Sequence, residues 1–282
     1  MSKAINILIV VVLISAIAML FYPTVSDQYS QFVNNRRILS YNREVQRVEP
    51  EANREMLEAA RAYNEALREI EIRDAFDAAR QETSQEYARL LNPAGDGVMG
   101  VIEIPKIGIR LPIFHGTGDE GLKQGAGHME GTSLPVGGDS THCGIAGHRG
   151  LPSAKLFSDL DQMERGDVIY LNVMGELLVY QVDQISVVLP HELDYMAIAE
   201  GEDYLTLVTC TPYGVNSHRL LVRGRRARLE DLIDTLALGD GVEKASDWQG
   251  ALVCAAPVAV VGLLMMLLIR PKRRYGLKRP KR

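Results

Sequence analysis

The chain has 282 residues, of which 46% are apolar and 24% charged, and a formal net charge of −5. This balance suits a globular protein of one large or two small domains. Three cysteines exclude a disulfide-stapled miniprotein, and the mild acidity argues against a nucleic-acid binder, which normally carries a basic face.

Residues 1–3 are a short stub carrying Lys3, and residues 4–22 are a 19-residue apolar run interrupted only by Asn6 and Ser15. As a helix at about 1.5 Å per residue, the run reaches about 28 Å, close to the hydrocarbon core of a bilayer. Ala16-Ile17-Ala18 resembles a signal-peptidase site, so a cleaved signal is the alternative. The site lies inside the run and not after it, which favours an uncleaved anchor. Residues 23–96 read as a largely helical region. Within 50–73, Met56, Ala60, Tyr63, Leu67 and Ile70 recur at spacings of four and three and predict one buried helix face. Asp74-Ala75-Phe76 breaks that pattern, and Asn92-Pro93-Ala94-Gly95-Asp96-Gly97 marks a boundary.

From residue 97 the character changes to short β-branched runs between Gly and Pro. Strands are expected at 101–104, 107–111, 144–146, 167–172, 177–188, 204–210 and 219–226. Seven or eight short strands predict a mainly β fold, a closed or nearly closed β-barrel over 97–228. A helix is expected at 229–238, then a linker to 250. Residues 251–269 form a second uncharged apolar run, in which Pro257 and Gly262 are tolerable for a membrane helix. The tail, 270–282, holds eight Lys or Arg and no acid, while the remainder has 23 basic against 36 acidic residues, a balance of −13. The Lys/Arg bias keeps such a tail in the cytoplasm. Two spans then leave Lys3 inside and residues 23–250 outside, an extracytoplasmic domain held at a membrane. Cys254 lies within the second run, so Cys143 and Cys210 are the outer thiols. One disulfide between them and two separate thiols both stay open.

Three residues carry the candidate chemistry. Cys210 ends the apolar stretch Thr206-Leu207-Val208-Thr209 and meets a Pro/Gly turn, Thr211-Pro212-Tyr213-Gly214. Arg219 opens the returning stretch Leu220-Leu221-Val222, so both heads can lie at one end of a hairpin. His148 sits upstream in Gly147-His148-Arg149-Gly150. A nearby cation lowers a thiol pKa, an imidazole can carry the proton of a leaving amine, and a guanidinium can stabilise an oxyanion. His115, His128, His142, His191 and His218 read as structural, and Cys143 as a small buried hydrophobe.

The stretch from Thr206 through Cys210 and Arg219 to Gly224 resembles the signature of sortases, specifically the class C, pilus-polymerising branch. Gly147-His148-Arg149-Gly150-Leu151-Pro152, Gly131-Thr132-Ser133-Leu134-Pro135-Val136-Gly137-Gly138 and Ile104-Pro105-Lys106-Ile107-Gly108 are similar to the same branch. The resemblance covers about residues 55–228 and the spans. It implies a sortase β-barrel with N-terminal helices, a lid and a C-terminal helix. It also implies a transpeptidase with Cys210 as nucleophile, His148 as general acid/base, and Arg219 for substrate positioning and oxyanion stabilisation. Substrates would be LPXTG-like sorting signals on pilins of Gram-positive cell walls, cleaved between Thr and Gly through a thioester. A pilin lysine would then form an isopeptide bond. The partners implied are pilins and the bilayer, with no nucleic acid, metal or cofactor. Class C enzymes carry an Asp-Pro-aromatic lid, and Asp74-Ala75-Phe76, within 73–77, looks like it, with Ala75 where proline is usual. Phe76 would cover the thiol, and Asp74 would pair with a basic group such as Arg219.

Three alternatives stand beside this reading. A zinc hydrolase would use His128, His142, Cys143, His148 and Cys210, but these lack metal-site spacing. A papain-like protease places its cysteine before its histidine, the reverse of the order here; an L,D-transpeptidase is disfavoured by the cysteine-to-arginine hairpin. A non-catalytic scaffold or pilus-assembly chaperone would have no need of Cys210.

Overall fold

The computed structural model describes residues 3–67, 74–76, 84–192 and 194–228. The chain divides into two units between Val25 and Ser26. Helix α1 (Lys3–Arg47) is a single 45-residue helix with Pro23 inside it, so the first apolar run and the helical region expected after it form one element. Among the described residues, α1 alone is long and apolar enough to cross a membrane. The second apolar run, the helix expected at 229–238 and the basic tail lie outside the described residues.

Beyond Ser26, α1 buries Asn34, Ile38, Tyr41 and Val45, spaced four, three and four apart on one face. The Tyr41 hydroxyl donates to Met99 O at 3.0 Å and accepts from Met174 N at 2.8 Å. Burial pushes its phenol up to about 12, with the Met174 bond opposing, so it stays a neutral donor. Helix α2 (Pro50–Ala66) starts with proline at its first position, where the missing N–H is harmless. It ends before the expected 73 and buries Leu57, Ala60 and Asn64, with Met56 and Tyr63 alongside. The predicted stripe is thus displaced by a polar residue. Asn64 is inside because its amide accepts Leu134 N at 2.7 Å and donates to Leu134 O at 3.2 Å.

The region expected to be largely helical, 23–96, is not α-helical in its last described part. Residues 87–89 form a 3-10 turn around a fully buried Tyr87. Its hydroxyl bonds His128 Nδ1 at 2.7 Å and accepts Gly116 N at 3.1 Å. A hub with that many fixed partners outweighs helical pattern.

Eight strands close the barrel in the order β1-β2-β3-β4-β7-β8-β6-β5. They are β1 (Val98–Ile104), β2 (Ile109–His115), β3 (Ala126–His128), β4 (Thr141–Ala146), β5 (Val168–Val173), β6 (Glu176–Val188), β7 (Asp203–Thr211) and β8 (His218–Arg226). The mainly β expectation holds. The β2 start shifts because Pro105–Ile107 is a 3-10 turn ended by Gly108 in the left-handed region, φ 61°. Closure through β1 and β5 needs Gly100, where a Cβ would lie 2.8 Å from Val173 Cγ2 and 3.0 Å from Asn172 O. Pairs β2–β3 and β4–β7 are parallel and the others antiparallel.

Tyr41 ties α1 to both β1 and the β5–β6 turn. Tyr41→Phe leaves two buried backbone groups unpaired, for an expected loss of about 1–3 kcal/mol. The measurement is a lowered denaturant midpoint at unchanged m-value; an unmoved midpoint would show the bonds to be replaceable.

Candidate active site

Strands β7 and β8 are antiparallel with Cys210 directly opposite Arg219. Directly opposed residues project from the same face of a sheet. On that face Val208 and Leu221 join Ala146, Leu122 and Met129 in a small apolar cluster distinct from the barrel core. Ala75 packs into this cluster, with Phe76 and Tyr195 against it. Ala75 and Phe76 therefore lie on the outer face that carries the thiol.

His148 follows β4, which runs parallel to β7 with Ala146 opposite Val208. The pairing continues one step further, as Gly147 N donates to Val208 O at 3.0 Å and Thr209 Oγ1 donates to Gly147 O at 2.7 Å. This fixes the His148 backbone beside the end of β7. Gly147 has no room for a side chain, since its Cβ would meet Phe157 Cδ2 at 2.6 Å. The His148 ring lies 5.6 Å from the Phe76 ring, centroid to centroid, and the Arg219 guanidinium 5.1 Å from the Phe76 centroid. Phe76 thus lies against both the imidazole and the guanidinium. Asp74 grips the guanidinium with both oxygens, Nε to Oδ1 at 2.7 Å and Nη2 to Oδ2 at 2.5 Å. Arg219 Nη1 also donates to Asn216 O and His218 O, each at 3.2 Å.

The electrostatics describe a covered site. Burial pushes the Cys210 thiol above its ordinary range; Arg219 opposes this and the Asp74 carboxylate adds to it. Burial pulls the half-buried His148 below its ordinary value, against Asp119 and helped by Lys123. Near neutral pH the thiol and the imidazole are accordingly both uncharged. The guanidinium, 6% exposed, is committed to a carboxylate.

Cys143 and Cys210 are both free thiols. Cys143 pairs with Leu205, five residues before Cys210, hence roughly 16 Å away along the strand. A disulfide needs Cα atoms within about 7 Å, so the disulfide alternative is overturned. Cys143 is in the core, and burial pushes its thiol well up. The ring nitrogens of His128 face Tyr87 Oη and Ser133 O, and those of His142 face Ala197 O and Thr206 Oγ1. These histidines hold structure together. The His218 Nδ1 contacts Ser217 Oγ at 2.9 Å.

Two residues escaped the sequence reading. Arg149 braces the His148 loop, with Nη1 to Thr211 Oγ1 and Nε to Ser158 O at 3.2 Å each, and pairs with Asp161. Its adjacency to His148 was the available signal. Tyr195, on the β6–β7 connection, feels both Asp74 and Arg219, and burial pushes its phenol up to about 12. Nothing in the sequence near Tyr195 points to the site. A cavity of about 1110 Å³ lies by Gly137, Asp203 and Arg226, at the far end of β7 from Cys210.

The closed eight-stranded barrel thus carries a cysteine, an arginine and a histidine at one end of β7, the residue types that a thiol acyl transfer needs. Residues 102–227 match the model of the sortase domain. Sortase A of Streptococcus agalactiae serotype III (strain NEM316) is 37% identical over 118 residues, 40% of this chain and 47% of that relative, about half its length. The solved sortase C of Streptococcus pneumoniae is 44% identical, with a TM-score of 0.65 over 68% of this chain and 97% of that one. A pilus-related sortase C of group B Streptococcus is 42% identical, with a TM-score of 0.63 over 67% and 96%. The chain belongs to the sortase family of cysteine transpeptidases, and its structural neighbours are pilus-related class C members.

Shielding by the lid has a direct readout. Asp74→Ala/Phe76→Ala removes the cover and the carboxylate that raises the Cys210 pKa, leaving the lowering influence of Arg219. Alkylation of Cys210 should speed up and its pH inflection should move down. One pKa unit alone gives about tenfold more thiolate below the inflection. Cys143 should stay unlabelled in the folded protein. Equal Cys210 rates and inflections in wild type and variant would reject shielding.

Proposed function

We propose that this protein is a membrane-anchored class C sortase that polymerises pilins. What supports the reading most is the in-register Cys210/Arg219 pair with His148 beside it and Asp74 occupying the guanidinium. The substrate is an LPXTG-like sorting signal, whose carbonyl region displaces Asp74 and Phe76. Once the site is open, the Cys210 thiol gives its proton to the neutral imidazole of His148, and Sγ, now a thiolate, attacks the Thr carbonyl carbon. The C=O pair moves onto oxygen, where the Arg219 guanidinium, now free of its carboxylate, stabilises the charge. The intermediate collapses by breaking the Thr–Gly C–N bond, and His148, as imidazolium, gives its proton to the departing Gly amine. A thioester remains on Cys210. The lysine amine of the next pilin attacks it, neutral His148 takes the amine proton, and Cys210 leaves as thiolate with an isopeptide bond formed. Water in place of lysine gives hydrolysis.

Membrane attachment is supported by the apolar part of α1. The barrel domain, 97–228, would then face outward with residues 23–96; a second span at 251–269 and a cytoplasmic end at 270–282 rest on the sequence alone and lie outside the described residues. The chemistry assigned to Cys210, His148 and Arg219 calls for no metal or cofactor.

Mass spectrometry of the intact protein after exposure to a sorting-signal peptide should find a thioester adduct on Cys210. Cys210→Ala should abolish both the adduct and the SDS-resistant pilin ladders, with roughly a thousandfold or greater loss of turnover, on the scale of removing a nucleophile. Ladders persisting in folded Cys210→Ala would mean a scaffold or chaperone, and adducts formed only from peptidoglycan fragments would mean a different transpeptidase.

A further inference from the structure

The loop that carries His148 is held from two sides. From the inside it is held by Phe157, fully buried, whose N–H donates to His148 O at 3.1 Å. From the outside it is held by α1. Asp27 Oδ1 accepts Lys155 N at 2.7 Å, and Ser26 Oγ donates to Ser153 O at 3.1 Å. These contacts span 128 and 127 residues of sequence. They are also relayed to the histidine. Ser158 N donates to Lys155 O at 2.8 Å, and Ser158 in turn accepts Gly150 N on its hydroxyl at 3.1 Å and Arg149 Nε on its carbonyl at 3.2 Å. Arg149 and Gly150 are the two residues after His148. Lys155 is secured independently, with Nζ donating to Ile107 O at 2.9 Å and facing Asp159 at 2.7 Å. The second Asp27 oxygen accepts Gln31 Nε2 at 2.8 Å, which sets the carboxylate's rotamer on the helix.

From this geometry we infer that Asp27, which its place in the sequence marks only as an acid on a helix surface, is a positioning residue for His148: the helix that begins as the membrane anchor clasps the catalytic loop. The inference rests on the role of His148 in the proposed function. A barrel strand fixes Cys210 and Arg219 by ladder hydrogen bonds, whereas His148 lies one residue past the last rung. A loop end of that kind depends on its outer contacts for a defined position, and small displacements of a proton carrier have large effects on rate. The charge of Asp27 is not what the contact needs. A backbone N–H asks only for an oxygen acceptor at that place.

The test uses the full chain in detergent or native membranes. Asp27→Ala should lower kcat for a sorting-signal peptide and a lysine-bearing acceptor roughly ten- to a hundredfold, with KM nearly unchanged. A loosened loop exposes His148 to water, so its NMR titration should move up from the depressed value toward that of an ordinary imidazole. Asp27→Asn, which keeps the acceptor oxygen, should restore wild-type turnover and titration. Ser26→Ala, milder, should move both readouts in the direction of Asp27→Ala and serves if that variant does not fold. Wild-type turnover and titration in folded Asp27→Ala, or in Ser26→Ala should the former not fold, would overturn the clasp. So would Asp27→Asn behaving as Asp27→Ala. A wild-type protein without turnover would instead condemn the transpeptidase reading.

Discussion

The Arg219 guanidinium can present its fork to one carboxylate or to a developing oxyanion, and in this structure Asp74 has it. That exchange governs the site. A bidentate charged pair of low exposure is costly to break when one partner is left buried and alone, on the order of 3–5 kcal/mol. On the proposed mechanism, withdrawal of Asp74 would be different, because both groups would gain other partners: Asp74 would meet water, and Arg219 would meet substrate. The binding energy of a sorting signal would have to cover only the remainder. In the described state the thiol and imidazole sit uncharged. One ion pair would therefore link access, charge state and oxyanion stabilisation.

The topology explains how residues far apart in sequence reach that pair. Strands β4 and β7 are parallel neighbours, so the chain leaves both at the same end of the barrel. Strand β8 is antiparallel to β7, so it begins where β7 ends. The residues after β4, at the end of β7 and at the start of β8 thus converge: His148, Cys210 and Arg219. Parallel pairing needs a long crossover, which the stretch from β4 to β7 supplies. The cost of this arrangement falls on His148. Its two partners are ladder residues, while it depends on Gly147, Phe157 and Arg149 for its place.

Legibility in the sequence followed the range of the interactions. The Cys210–Arg219 hairpin is local, and a strand, a Pro/Gly turn and a returning strand express it directly. That His148 joins them depends on β4 lying beside β7, which no spacing encodes; only the likeness to sortases supplied it. Strand β3 has three residues, too few to display a period. The expected stripe of α2 holds at Met56, Ala60 and Tyr63 but omits Asn64, which is inside for its bonds to Leu134, because polarity patterns place an asparagine outside. Tyr87 likewise organises a segment through its hydroxyl rather than through hydrophobic rhythm. Contacts of Asp27 and Asn64 with distant backbone atoms are invisible to any periodicity.

Ala75 shows how such a lid can be tuned. It sits 5% exposed in the apolar cluster with Val208 and Leu221, so its methyl group packs against the strands that it covers. Compared with proline, alanine has more backbone freedom once released, and this difference is worth about 0.4–1 kcal/mol in favour of the released state. That is a factor of roughly two to five in population. The Asp74–Arg219 pair acts on a larger scale, so in the proposed mechanism the ionic contact would decide whether the site is covered, and the residue between the acid and the aromatic ring would adjust how often it opens.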